Sequence, residues 1–247
     1  MENYFESRRT RRNFLDKEVP TEMLREIVGD AMRAPNTGNM QTYSVVYSRK
    51  GEARKALEAL HFNQPASTGA DLLLTVCADF NHFTRWCRLS DADAGYDNFL
   101  SFTSAMTDAV ILAQQIVTIA EMRGLGTCYL GTVTYNAPEI AALLKLPKLV
   151  VPVACLAIGW PADRGVESER LGVDAVLFED TYPQLSDKEL LNNYEAKDLY
   201  APNEQFVKEN GKRNLAQVFA EIRYPRSINE PISEKLLSYL KETGFLK

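Results

Sequence analysis

Apolar residues recur at helical spacing over residues 21–33. Met23, Leu24, Ile27, Val28, Ala31 and Met32 share one face there, Thr21 stands where an N-cap belongs, and Pro35 follows. A proline disfavours helical geometry in the residue before it, so the helix is expected to end there. Residues 42–48 are rich in β-branched and aromatic side chains, as a strand should be. Residues 51–60 return to helical spacing, and residues 71–78 form an apolar run suited to a buried strand. The longest predicted helix covers 103–123 and ends at Gly124. It is apolar on most sides (Val110, Ile111, Leu112, Ile116, Val117, Ile119), so the core or a partner subunit must cover several of its faces. Residues 150–158 read as another buried strand, with Pro152 tolerable only at an edge or bulge.

After Gly159 the pattern weakens. Residues 160–185 are loop-like, and the capping box Ser186-Asp187-Lys188-Glu189 opens a short helix. A charged stretch follows around 208–213. Pro231 suits the first turn of a last helix, with Leu236, Leu237 and Leu240 inward and Gly244 as its stop. Alternating helices and strands imply an α+β or α/β sandwich. No repeat or low-complexity linker divides the chain, so one domain is expected, with a C-terminal excursion from about residue 160.

The chain has 247 residues, 45% hydrophobic and 25% charged, an ordinary globular composition. No aliphatic run approaches the roughly 20 residues of a membrane span, and the charged N-terminus has no leader pattern. A cytoplasmic protein is expected. Cys77, Cys87, Cys128 and Cys155 lack CxxC spacing and read as buried free thiols. With only His61 and His82, a histidine-based metal site is not expected. Neither a GxSxG elbow nor a GxxxxGK[ST] loop is present. A net charge of −5 disfavours polyanions over the surface as a whole.

Three segments stand out against this background. Arg8-Arg9-Thr10-Arg11-Arg12 concentrates guanidinium forks that grip phosphate, although solvated surface charge or a nucleic-acid patch would have the same composition. Pro35-Asn36-Thr37-Gly38-Asn39-Met40-Gln41 alternates donors and acceptors, as an edge of a heteroaromatic ring requires, and as an ordinary polar turn also does. Gly124-Leu125-Gly126-Thr127-Cys128-Tyr129-Leu130-Gly131 is not a dinucleotide fingerprint. It has Tyr129 at the third glycine position and follows a helix, so a short strand passing close to a flat ligand suits it better.

In this order the three segments resemble the nitroreductase and flavin-reductase superfamily. Tyr135-Asn136, residues 143–147, Val151-Pro152 and Gly159-Trp160-Pro161-Ala162-Asp163 narrow the resemblance to the branch of oxygen-insensitive group A nitroreductases and NADPH–flavin oxidoreductases. The resemblance spans the chain from about Phe5. It implies an α+β fold, with a central, mostly antiparallel sheet sandwiched by helices. It further implies a homodimer with FMN at the subunit interface, NADPH or NADH as reductant, and a small aromatic acceptor (a nitroaromatic, quinone or free flavin). Neither a nucleic acid nor a membrane partner is implied.

By the same resemblance, Arg8, Arg9, Thr10 and Arg12 would serve the FMN phosphate and adjoining atoms. Pro35, Asn36, Thr37, Asn39 and Gln41 would approach the ring from the partner, and Gln64 would contact it. Tyr129, Leu130 and Gly131 would lie against the ring, and Arg170 would reach the phosphate. Hydride would pass from the nicotinamide to the flavin and on to an acceptor in the same pocket, with no side-chain acid or base needed for that step. Ser168-Glu169-Arg170 departs from the branch's usual Lys-Pro-Arg, and Asn36-Thr37-Gly38-Asn39 replaces its serine-rich loop. Lys208, Lys212 and Arg213 are approximate counterparts of a nucleotide-binding loop, or a solvated one. The alternative function is a non-catalytic flavin store or sensor.

Overall fold

A short helix, α1 (Tyr4–Ser7), precedes α2 (Thr21–Ala31) in the computed structural model, which describes residues 4–247. The predicted face of α2 is buried through Leu24, Ile27 and Ala31. Thr21 does not cap it. Pro20 holds the cap position, and the Thr21 hydroxyl accepts a 2.9 Å bond from Arg49 instead. The helix also ends before Pro35 can act: the Arg33 and Ala34 amides bond back to Asp30 and Ala31, tightening its last turn.

β1 (Tyr43–Arg49) begins one residue later than predicted; Gln41, φ 52°, turns the chain just before it. The predicted helix over 51–60 is divided into a 3-10 turn, Glu52–Arg54, and α3 (Lys55–Leu60). α4 (Pro65–Gly69), β2 (Leu72–Asp79) and α5 (Asn81–Leu89) follow. The long helix α6 (Phe99–Met122) starts four residues before the predicted position, since the Asn98 side chain caps it by accepting from the Ser101 amide at 3.0 Å. Gly124 ends it in a left-handed conformation, φ 83°, as the Leu125 amide bonds to the Ala120 carbonyl. β3 (Gly126–Tyr129), α7 (Ala137–Leu143) and β4 (Val150–Gly159) complete the sandwich.

The sheet has the order β1-β2-β4-β3, and all its pairings are antiparallel. Side chains alternate between its faces as a strand requires. Leu72, Leu74 and Val76 of β2, with Ala154, Leu156 and Ile158 of β4, pack with α2 and α6. Leu73, Cys155 and Ala157 turn the other way, into a cluster with Leu57, Ala66 and Ile140 of α3, α4 and α7. Burial on both faces accounts for the unbroken apolar run of β2. Pro152 lies at a bulge: Val76 pairs Ala154 and Cys77 pairs Pro152, which leaves Val153 extra. All four cysteines are buried and free.

The described residues form two compact units, one running to Val166 and including Glu234–Lys247, the other Glu167–Ser233. The second unit is helical, with α8 (Asp187–Asp198), α9 (Ala201–Glu209), the single turn α10 (Leu215–Gln217) and a π-helical stretch, Val218–Arg223. The Ser186 capping box forms as predicted. α11 (Arg226–Thr243) starts earlier than expected and carries Pro231 in its interior instead of its first turn. Leu240 is buried and Leu236 packs against the core beside it, but Leu237 is turned outward, 49% exposed. Gly244, φ 96°, stops the helix.

Candidate functional site

The basic segment runs along the outer edge of β3. The Arg11 amide donates to the Thr127 carbonyl at 3.0 Å, and the Leu15 amide to the Trp160 carbonyl at 2.8 Å. Glycines allow this close approach. A Cβ on Gly126 would lie 2.7 Å from the Arg11 Cβ, and one on Gly159, its cross-strand partner, 3.0 Å from the Phe14 ring. Burial pushes the Cys128 thiol up, and both Arg12 and Arg8 oppose that rise, so both guanidinium groups stand near this residue.

Their states differ. Arg8 is ion-paired with Glu121 of α6 at 3.3 Å, and it also donates to the Thr10 hydroxyl at 3.4 Å. Glu121 further accepts from the Tyr4 hydroxyl at 2.7 Å and from the Thr127 hydroxyl. Arg9 donates to the Glu6 and Arg8 carbonyls. Arg12 is exposed and makes neither a hydrogen bond nor an ion pair among the described residues, which leaves its fork open to an anion. Tyr129 is 40% exposed, and burial of its hydroxyl raises the phenol to about 12, opposed by the positive charge of Arg8. Leu130 is 1% exposed and its side chain belongs to the core, so only its backbone is left to face a ligand. Next to it, a Cβ on Gly131 would meet nothing within 4 Å, so the backbone there borders open space. Gln64 holds the N-cap position of α4 without a side-chain cap bond, on a turn whose preceding residues, Phe62 and Asn63, both have positive φ.

The polar loop is held by a different part of α6. Asp108, buried in that helix, accepts from the Thr37 amide and hydroxyl at 2.9 Å each and from the Thr42 hydroxyl at 2.9 Å. Asn36 accepts from the Gln41 amide at 3.1 Å, and Gly38, Asn39 and Gln41 take positive φ. Thr37, Asn39, Gln41 and Pro35 are exposed. Glu121 lies thirteen residues beyond Asp108, about 20 Å along the axis at the helical rise. Within one protomer the arginine segment and the amide loop are thus tethered at well-separated points of one helix. α6 exposes Met106 and Val110 on either side of Asp108, Met122 next to Glu121, and Phe99 and Leu100 at its N-terminal end.

Arg170 belongs to the second unit, where it donates to the Ser168 and Glu169 carbonyls. Of the basic residues there, Lys212 pairs with Glu221 at 2.7 Å, and Lys208, Lys212 and Arg213 line one groove. Sequence reasoning overlooked Asp108, Glu121, His61 and Thr132. The two acids carried a signal, since each interrupts an otherwise apolar helix. His61 and Thr132 carried none, because their pairing is purely tertiary.

Residues 5–160 match the family model described as the nitroreductase family. An FMN reductase (NAD(P)H) of Bacillus subtilis is 32% identical over 88% of this chain and 90% of its own length. An oxygen-insensitive NADPH nitroreductase of Salmonella typhimurium is 32% identical over 76% of each. Among solved structures, one from Bacteroides fragilis superposes with a TM-score of 0.96 at 38% identity, covering 98% of this chain and 99% of that one. The NfrA1 nitroreductase of B. subtilis superposes at 0.85 with 26% identity, over 98% and 99%. The antiparallel four-stranded sandwich, the arginine segment along its β3 edge and the amide loop held by α6 all lie within the matched residues, and the chain belongs to the nitroreductase family.

Proposed function

We propose that this chain is an FMN-dependent oxidoreductase that takes reducing equivalents from NAD(P)H and delivers them to a nitroaromatic, a quinone or free flavin. It works as a cytoplasmic homodimer with the flavin between subunits. The observation that carries this reading is the tethering of the two polar segments about 20 Å apart on α6, with apolar Met106 and Val110 exposed beside the Asp108 tether and Met122 beside the Glu121 tether. A two-fold axis crossing α6 would cover that face and bring the arginine segment of one protomer to the amide loop of the other. The family relationship supports the same arrangement.

The residues fit such a cofactor. Arg12 offers an uncommitted cation for the phosphate, with Arg9 and Thr10 beside it. The Gly131 backbone borders open space for a flat ring, Tyr129 lies two residues before it, and the turn carrying Gln64 is tied to this edge through His61 and Thr132. Pro35, Asn36, Thr37, Asn39 and Gln41 supply polar edges from the partner, on a loop fixed in shape by Asp108. Arg8 acts through position: paired with Glu121, it holds the segment in place and contributes positive charge near Tyr129. The assignment of Arg170 to the phosphate rests on the resemblance alone. Bound FMN supplies the hydride chemistry; the protein binds it, orients it and excludes water.

The purified protein is expected to be yellow, to be bleached anaerobically by NADPH or NADH, and to give ping-pong kinetics with a quinone or nitroarene. Colourless protein that takes up no added FMN would overturn the proposal. Protein that binds FMN but is reduced by neither nucleotide would be a flavin binder and not an oxidoreductase.

A further inference from the structure

His61 is fully buried, and its Nδ1 lies 2.7 Å from the Thr132 hydroxyl. Its other ring nitrogen, Nε2, is buried with no hydrogen-bond partner, whichever tautomer is drawn. Burial pulls the imidazole down to about 4, so it is neutral at any pH near 7. An orphaned buried nitrogen is a cost that an apolar side chain of similar volume would avoid. The hydrogen bond its side chain does make is through Nδ1.

What Nδ1 does is join two turns. On one side, His61 ends α3 and opens the turn to Gln64, in which Phe62 and Asn63 hold φ values of 57° and 49°. Two consecutive non-glycine residues in that region are strained and persist only where their surroundings fix them. On the other side, Thr132 directly follows Gly131, where the backbone borders open space. A second tether runs in parallel: the Asn136 side-chain amide donates to the Leu60 carbonyl at 2.6 Å. These two bonds set how far the Gln64 turn stands from the Tyr129–Gly131 edge.

We propose that His61 is a positioning residue, whose bond to Thr132 fixes the gap between the Gln64 turn and the Gly131 backbone to the thickness of a flat ring. This rests on the flavin reading above. Neither side chain touches the ring; both act through the segments they join.

The test uses the whole protein, with FMN as probe, read by quenching of flavin fluorescence and by the bound absorption spectrum. Thr132→Val keeps the shape and deletes the bond, and should weaken FMN binding about five- to tenfold and shift the bound spectrum. Thr132→Ser, which keeps the hydroxyl, should restore both to near the unsubstituted values, and His61→Leu should match Thr132→Val. Should His61→Leu fail to fold, the comparison of Val with Ser at position 132 decides alone. Loss of thermal stability in Thr132→Val with unchanged FMN affinity and spectrum would make the pair merely structural and overturn the inference. Unsubstituted protein that binds no FMN would instead remove the flavin reading itself, and this inference with it.

Discussion

Single side chains carry more of the site's architecture than their types announce. The four buried free thiols were legible because they lack CxxC spacing and three of them stand within apolar runs. Asp108 and His61 were not, because their meaning depends on residues tens of positions away. His61 has a consequence for stability. Its proton affinity falls from 6.5 in the unfolded chain to about 4 in the fold, so between those values the unfolded chain binds more protons. The stability it contributes is complete above pH 6.5 and is lost as pH falls towards 4. From pH 7 to pH 5 the loss should be about 2 kcal/mol, read as a lower denaturant midpoint. The carboxylates held below their usual range, such as Glu169 beside Lys197, add to this only at lower pH. The other histidine, His82, is largely exposed. An unchanged midpoint over this interval would mean that His61 charges without penalty.

Elements follow local rules until a distant residue overrides them. The Ser186 box and the Gly124 stop were readable because both partners of each bond lie within a few residues. The cap of α2 was not, since Arg49 of β1 claims the Thr21 hydroxyl. Pro231 was misplaced because a proline most often opens a helix. Here it sits in an exposed stretch of α11, where water can satisfy the carbonyl of Ser227 that its missing N–H leaves free. The edge of β3 yields a prediction of its own. Gly126→Ala would drive a methyl group to 2.7 Å from the Arg11 Cβ and 3.1 Å from the Pro161 Cβ, so the arginine segment must shift. FMN binding should weaken at least tenfold, with thermal stability lowered by less than a core truncation would cause. Affinity equal to that of the unsubstituted protein would show that the strand edge does not set the arginine position.

At the scale of the molecule, the antiparallel sandwich was legible from periodicity joined to the family resemblance, but the distance between its two polar segments was not. Sequence order places residues 8–12 and 35–41 close together, whereas α6 holds them about 20 Å apart. α6 is also the one described helix long and apolar enough, by length and composition, to cross a bilayer, and its buried face is the centre of the core. The proposed division of the ligand pocket between two protomers would have a complementation signature. Protein carrying Arg12→Ala and protein carrying Asn39→Ala should each bind FMN poorly alone. Unfolded together and refolded as a mixture, they would form hybrids with one doubly damaged pocket and one untouched pocket. Flavin uptake should then recover in the mixture to a fraction of the unsubstituted level, and should stay low if each chain builds its pocket alone.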